Sequence, residues 1–147
     1  DERIPHLLAT PAAVHFISAE PLLGPLDIRQ YLHDSDCLYA EGICTCSEPR
    51  EDHLGWVIVG GESGNGARPF DAWWAVELIE QCKAAGVACF VKQLGTRPYI
   101  DHSPEPAATI ARKHGVGPLV QEFLGLRDKK GGDMDEWPEE FRVREFP

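Results

Sequence analysis

A chain of 147 residues with 43% hydrophobic side chains is the size of one ordinary domain and can bury a core. Its 14 Lys and Arg against 24 Asp and Glu give a formal charge of -10, which repels nucleic-acid phosphates unless basic groups cluster; the run Arg127-Asp128-Lys129-Lys130 is too short and interrupted for that. No stretch is apolar enough to cross a membrane and no charged leader precedes an apolar core, which predicts a cytoplasmic protein with no membrane partner and argues against nucleic acid.

Residues 4–9 have the pattern of a short helical turn stopped by Thr10-Pro11, because the residue before proline is pushed out of the helical region. Residues 13–19 follow as a first apolar strand ending in Glu20-Pro21, which places a carboxylate at the strand's carboxyl end. His15 in that strand has no partner at metal-ligand spacing and reads as a packed, hydrogen-bonded side chain. A short helix is expected over 26–33, with Leu26, Ile28 and Leu32 turned partly inward.

Residues 34–53 break the pattern: few apolar side chains, scattered acids and three cysteines mark a surface excursion. Cys37, Cys44, Cys46 and His53 are the donor types of a zinc site, yet their spacing lacks the paired Cys-x-x-Cys knuckles of strong zinc motifs; free loop thiols are the competing reading. Cys82 and Cys89 fall in helix and strand patterns as small buried hydrophobes, and five cysteines is an odd number, so no disulfide framework is read.

The centre of the sequence is Trp56-Val57-Ile58-Val59 followed by Gly60-Gly61-Glu62-Ser63-Gly64-Asn65-Gly66-Ala67-Arg68-Pro69. The first four residues suit a strand buried on both faces of a parallel sheet. The glycines then permit positive φ and close approach to the main chain, while Glu62 puts a second carboxylate at a strand's carboxyl end. Ligands bind at that end in α/β folds. The loop lacks the Gly-Lys-Ser/Thr of a phosphate loop and the spacing of the dinucleotide fingerprint, and its plainer reading is a turn in which Glu62 accepts backbone donors.

Asp71 is placed to cap a helix running to Ala85, with Gly86 at its C-terminal cap. Ala72, Ala75, Val76, Ile79 and Cys82 form its buried stripe; Glu77, Gln81 and Lys83 face water; Trp73 and Trp74 anchor it on the sheet. A third strand over 87–91 ends in Lys92-Gln93-Leu94-Gly95, which completes a βαβ unit with parallel strands. Glu20, Glu62, Lys92 and Gln93 are then expected along one sheet edge, either as a site for a polar ligand or as an ion-paired rim.

Beyond Thr96, Pro98, Pro104, Pro106 and Pro118 with Gly115 and Gly117 predict loops, with short helices over 107–113 and 118–124 and surface positions for His102 and His114. An extended tail over 126–147 offers Phe141, Val143 and Phe146 for docking. The whole chain, 1–147, reads as a single α/β domain. It begins Asp1-Glu2-Arg3 without methionine, which reads as a piece of something longer.

Five stretches in order, Arg3 to Pro11, Ser18 to Pro25, Gly60 to Pro69, Phe90 to Gly95 and Lys130 to Pro147, resemble the phage-protein domain family of unknown function found in phages and bacterial genomes. Longer members of that family resemble radical S-adenosylmethionine enzymes, and this chain is similar to their carboxyl-terminal half. The resemblance implies a partial (half) β/α barrel-like parallel sheet with an irregular C-terminal region. It also implies an iron-sulfur cluster and S-adenosylmethionine in a full-length form, with no cofactor expected in this chain. Cys37, Cys44 and Cys46 have the wrong place and spacing for the cluster motif. Under this resemblance Glu20, Gly60, Gly61, Glu62, Ser63, Arg68, Lys92 and Gln93 face the barrel mouth, and open sheet edges imply self-association or pairing with a missing N-terminal half. Two further readings stand beside it: a non-catalytic phage or prophage interaction module, and a zinc-stabilised binding domain.

Overall fold

The computed structural model describes residues 2–32, 53–102 and 120–147. The cysteines of the excursion, Cys37, Cys44 and Cys46, lie outside the described residues, as do the helix expected over 107–113 and His114. The described chain is mixed α/β. Strands β1 (His15–Ala19), β2 (Leu54–Gly60) and β4 (Ala88–Gln93) form a parallel sheet in the order β1-β2-β4. Short helices α1 (Ile4–Leu8) and α2 (Arg29–Leu32) flank β1, and helix α3 (Ala72–Ala85) carries the chain from β2 back to β4. Among the described residues no barrel is closed.

Strand alternation decides which side chains meet the helix. Val57 and Val59 of β2 and Cys89 and Val91 of β4 are buried, and they join Ala75, Leu78, Ile79 and Cys82 of α3 in one core. The contact with Cys89, then burial, pushes the Cys82 thiol far up, so it sits in this core as an un-ionised apolar group. Both ends of α3 are built as expected. The Asp71 carboxylate accepts the Trp73 N–H at 3.1 Å, and Gly86 takes the left-handed conformation (φ 68°) that ends the helix. Trp74 packs edge-on against Phe70 at 6.1 Å and helps anchor the helix, whereas Trp73 is exposed.

Two parts of the α3 stripe differ from expectation. Leu78 is fully buried and Val76 only half so. Gln81 turns inward: its Oε1 accepts the Ile28 N–H at 2.8 Å and its Nε2 donates to the Leu26 carbonyl at 2.9 Å. The reason is that residues 26–28 lie along the flank of α3 as chain without helical partners, and their backbone groups need an amide that can both accept and donate. Of the described residues 26–32 of the expected helix, 29–32 are helical and 26–28 are not. Gln81→Ala orphans both backbone groups and is expected to lower the unfolding free energy by about 1–3 kcal/mol in urea titration.

A second sheet occupies the region expected to be loops. β5 (Pro98–Asp101) pairs parallel with β3 (Phe70–Asp71) and antiparallel with β6 (Gln121–Phe123). The described part of the expected 118–124 helix is thus a strand. Proline stands at the first position of β5, where it is tolerated, and so hides the strand from a reading that treats proline as a breaker.

Of the residues offered for docking, Phe141 is buried, Val143 half-buried and Phe146 70% exposed, and the tail is not extended throughout but turns through short 3-10 helices at Met134–Glu136 and Glu139–Phe141. Trp137 and Phe141 are each 1% exposed and belong to the core. Beyond them, the Val91 N–H donates to the Val143 carbonyl and the Glu145 N–H to the Cys89 carbonyl, both at 2.8 Å, so residues 143–145 run antiparallel along the outer edge of β4. Arg144 supplies the missing donors there, reaching the carbonyls of Lys92 at 3.1 Å and Gly132 at 3.0 Å.

Candidate functional site

On the side of the parallel sheet away from α3, register places two rows of side chains, with a charged group at the strand ends above them. Phe16, Trp56 and Ala88 form the lower, and Ser18, Ile58 and Phe90 the upper. Both rows are apolar except for Ser18 and partly open to solvent, with Phe16 47% exposed. At the carboxyl end the β2–β4 register shifts so that Gly60 pairs with Gln93, and just past β1 the Glu20 side chain lies on Gly60 and meets Lys92.

Glu20 is the centre of that group. Its carboxylate accepts the Ser18 hydroxyl at 2.8 Å and the Lys92 ammonium at 3.2 Å. A cis peptide joins it to Pro21, and it lies directly on Gly60, where a Cβ would meet Glu20 Oε1 at 2.5 Å. Any side chain at 60 displaces the carboxylate. The Glu20 side chain is 18% exposed and that of Lys92 56%, so the pair is reachable from solvent while the carboxylate is fixed by two donors. Ser18 was not among the sequence candidates; its position two residues before Glu20, on the same strand face, is the signal that finds it.

The glycine loop is organised differently. Glu62 turns back into its own loop, where Arg68 reaches it through Nε at 2.7 Å, Nη2 at 3.2 Å and its backbone N–H at 3.1 Å. The Arg68 side chain, followed by its backbone N–H, holds the Glu62 carboxyl below the usual carboxylate range. Ser63 is exposed at the loop surface. Gln93 donates from Nε2 to the Gly61 carbonyl at 2.9 Å, which ties the ends of β2 and β4 together. A Cβ on Gly61 would overlap the Leu94 carbonyl, so the close approach that glycine permits there is to this chain's own backbone. The Thr96 hydroxyl donates to the Lys129 carbonyl at 2.8 Å and accepts the Gly64 N–H at 2.9 Å, joining three loops.

Of the residues expected at one edge, the structure therefore brings Glu20, Gly60 and Lys92 together. Glu62 and Arg68 pair with each other, and Gln93 is used in the main chain. Because a depressed pKa favours the native state only above the unfolded-state value, the Glu62 contribution is lost as pH falls through its folded-state pKa. Arg68→Ala is expected to raise the Glu62 pKa into the ordinary carboxylate range, as read by carboxyl-carbon NMR titration.

His15 is buried and its Nε2 lies 2.6 Å from the Thr10 carbonyl, the packed role expected of it. His102 is exposed and meets Glu122 at 2.9 Å. Among the described residues no group of three or more His, Cys, Asp or Glu is arranged to hold a metal ion, and of the four zinc candidates only His53 is described. No described helix is long and apolar enough to cross a membrane.

The chain belongs to the family described as "Protein of unknown function (DUF5131)", whose model matches residues 1–126. That match includes 37–46 and 96–125, outside the motifs that carry the resemblance, and ends before the tail, which is one of those motifs. No curated protein and no solved structure matches the chain significantly.

Proposed function

We propose that this member of an uncharacterised family is the distal part of a β/α barrel enzyme, contributing Glu20, positioned by Ser18 and Lys92, to a polar ligand site at the barrel mouth. The observation that carries the reading is the sheet face away from α3, mostly apolar below, with the Glu20–Lys92 pair at its carboxyl end. The inner wall of a β/α barrel is layered in this way, and its ligands bind at that end. Glu20 keeps unused lone pairs for a ligand donor, and the Lys92 ammonium keeps N–H groups for a ligand anion. The second charged pair, Glu62 with Arg68, closes the adjacent loop and shapes the rim.

Phage-type proteins and radical S-adenosylmethionine chemistry are the finer part of the proposal. A four-iron, four-sulfur cluster, were one bound in a longer form, would be held by three thiolates and would supply the electron for cleavage of S-adenosylmethionine. The described cysteines, Cys82 and Cys89, are two in number and buried on the helix side of the sheet, so they do not fit it. In this proposal a cluster would be held by the N-terminal half of a longer form and not by Cys37, Cys44 and Cys46, and this chain's share is to bind and orient the ligand.

The test is iron and acid-labile sulfide content of the protein expressed anaerobically from its natural start codon, with the 147-residue chain beside it, followed by Glu20→Gln in the iron-containing form. The expected result is iron and sulfide in the longer form and, for Glu20→Gln, a loss of S-adenosylmethionine or substrate affinity of about 10-fold or more at unchanged iron content. A longer form without iron removes the radical chemistry; unchanged affinity for both ligands removes Glu20 from the site.

The exposure of Val14, Phe16 and Phe146 on the side away from α3 favours a second reading, a non-catalytic phage or prophage interaction module. Under it Glu20→Gln leaves function intact and substitutions along the edge strands abolish it. Zinc bound by Cys37, Cys44, Cys46 and His53 is a separate proposal, tested by stoichiometric zinc in the purified chain.

A further inference from the structure

The glycine loop that follows β2 carries a reactive pair of residues besides its ion pair. Asn65 is the chain's only asparagine, and Gly66 comes directly after it. They are the central residues of a turn closed by the Ala67 N–H, which donates to the Gly64 carbonyl at 3.3 Å, and Gly66 has φ 83°, the positive value that favours glycine at a turn's third position. Both are exposed, and a Cβ on Gly64 or Gly66 would meet nothing within 4 Å, so solvent reaches the main chain on either side of Asn65. The loop's hydrogen bonds pass these two residues by. The Gly64 N–H donates to the Thr96 hydroxyl at 2.9 Å and the Arg68 N–H to Glu62 at 3.1 Å, while among the described residues neither the Gly66 N–H nor the Asn65 side-chain amide has a partner.

An asparagine followed by an unshielded glycine nitrogen has a defined reaction open to it. The Gly66 nitrogen, its proton lost to hydroxide, attacks Asn65 Cγ; the new C–N bond closes a succinimide ring, and the Cγ–Nδ2 bond breaks with release of ammonia. Water then opens the ring at either carbonyl. Opening at Cγ gives aspartate on an ordinary backbone, whereas opening at the main-chain carbonyl gives isoaspartate, in which the chain runs through the side-chain carbon. The net change consumes a water, releases an ammonia, transfers no electrons and leaves a carboxylate in place of a neutral amide. Glycine favours the first step because no Cβ crowds the nitrogen and its backbone is free to follow the ring.

We propose that Asn65-Gly66 is a hydrolytic modification site, which adds negative charge to this loop and loosens the Glu62–Arg68 pair. Asn65 lies midway between those two residues, inside the segment that their contacts close. In the aspartyl form a second carboxylate competes with Glu62 for the Arg68 guanidinium, whose side chain is 55% exposed and able to turn. In the isoaspartyl form the backbone between the two residues is longer by a methylene, so the Arg68 N–H no longer meets the Glu62 carboxylate at the same place. The proposal is independent of the Glu20 site.

The test holds the full chain and a free peptide of residues 60–69 side by side in mildly alkaline buffer and follows both by peptide mapping, in which conversion exchanges the amide NH2 for OH and splits the product into aspartyl and isoaspartyl forms. The free peptide reports the intrinsic rate. The folded chain is expected to convert at Asn65 within about ten-fold of it, because the turn neither bonds nor shields the Gly66 nitrogen. Asn65→Gln is expected to stay unconverted over the same period, since its longer side chain needs a larger ring. Slower conversion of the folded chain, down to the roughly thousand-fold retardation of a reaction confined to unfolded molecules, means that the turn protects the amide and overturns the site. The consequence is read at the Arg68 Nε–H resonance, which is expected to shift and to exchange faster with water in the isoaspartyl form, separated by anion exchange, and in Asn65→Asp, which supplies the aspartyl form directly. An Arg68 signal unchanged in both overturns the effect on the pair.

Discussion

Gly95→Ala is expected to lower the unfolding free energy by about 3–5 kcal/mol, the sum of a left-handed backbone forced on alanine and an overpacked contact with main chain. Gly95 has φ 82°, and a Cβ there would lie 2.5 Å from the Glu62 carbonyl oxygen, 2.9 Å from the Gly61 carbonyl carbon and 3.0 Å from the Glu62 nitrogen. All three are backbone atoms, which cannot rotate away as a side-chain end can. The place is crowded because three loops meet there. The Gly61 N–H donates to the Gln93 carbonyl at 3.0 Å, the Thr96 N–H to the Glu62 carbonyl at 2.9 Å, and the Leu94 N–H to the Gly131 carbonyl at 2.8 Å. Gly131 itself has φ 63° and lies against Gly95. Gly125→Ala is the control, since a Cβ there meets nothing within 4 Å and its φ is ordinary; a change within about 0.5 kcal/mol is expected for it. Equal midpoints for the two variants in urea denaturation would show that the loops move apart more easily than this packing implies. The consequence reaches the site, because the same three loops hold the ends of β2 and β4 that carry Gly60 and Lys92.

Trp137→Ala should cost a similar amount, about 3–5 kcal/mol, as a large buried side chain replaced by a cavity. Trp137 is among the largest fully buried side chains, at 1% exposure, and its Nε1 donates to the Gly131 carbonyl at 3.0 Å. It therefore fastens the tail, through the 128–132 turn, to the loop after β4. That turn is prepared for the contact. The Asp128 carboxylate accepts the N–H groups of Lys130 at 3.1 Å and Gly132 at 2.6 Å, and these backbone donors hold its carboxyl below the usual range. Trp137→Phe separates volume from hydrogen bonding. Because the Gly131 carbonyl still accepts the Leu94 N–H, the lost indole bond leaves no orphaned acceptor, and the phenylalanine variant should lose only about 1–2 kcal/mol. Should both variants unfold at the same denaturant concentration, the hydrogen bond rather than the packing is what Trp137 contributes.

Such interlocking separates what a pattern of residues announces from what the folded chain adds. The βαβ core was legible because each of its signals is local. Trp56 to Val59 is apolar, with three β-branched residues, Asp71 precedes the helix it caps, and Gly86 follows the helix it ends. The carboxyl-end position of Glu20 and Lys92 follows from the same strands being parallel. Gln81 was misread toward water because its partners, Leu26 and Ile28, stand more than fifty residues earlier, and no periodicity within α3 refers to them.

By itself, then, the sequence determined the parallel strands, the helix between them and the strand ends at which polar residues gather, since burial, capping and turn formation act over a few neighbouring residues. The tertiary structure alone decided which of those polar residues meet. Glu20 joins Lys92, 72 positions away, because β1 and β4 flank β2 and bring their ends to the same end of the sheet. Glu62 stays with Arg68 because the glycine loop folds back within six residues. The second sheet and the tail strand on β4 likewise arise from backbone groups finding partners far along the chain, as the need to satisfy every buried N–H and C=O dictates once the path is set.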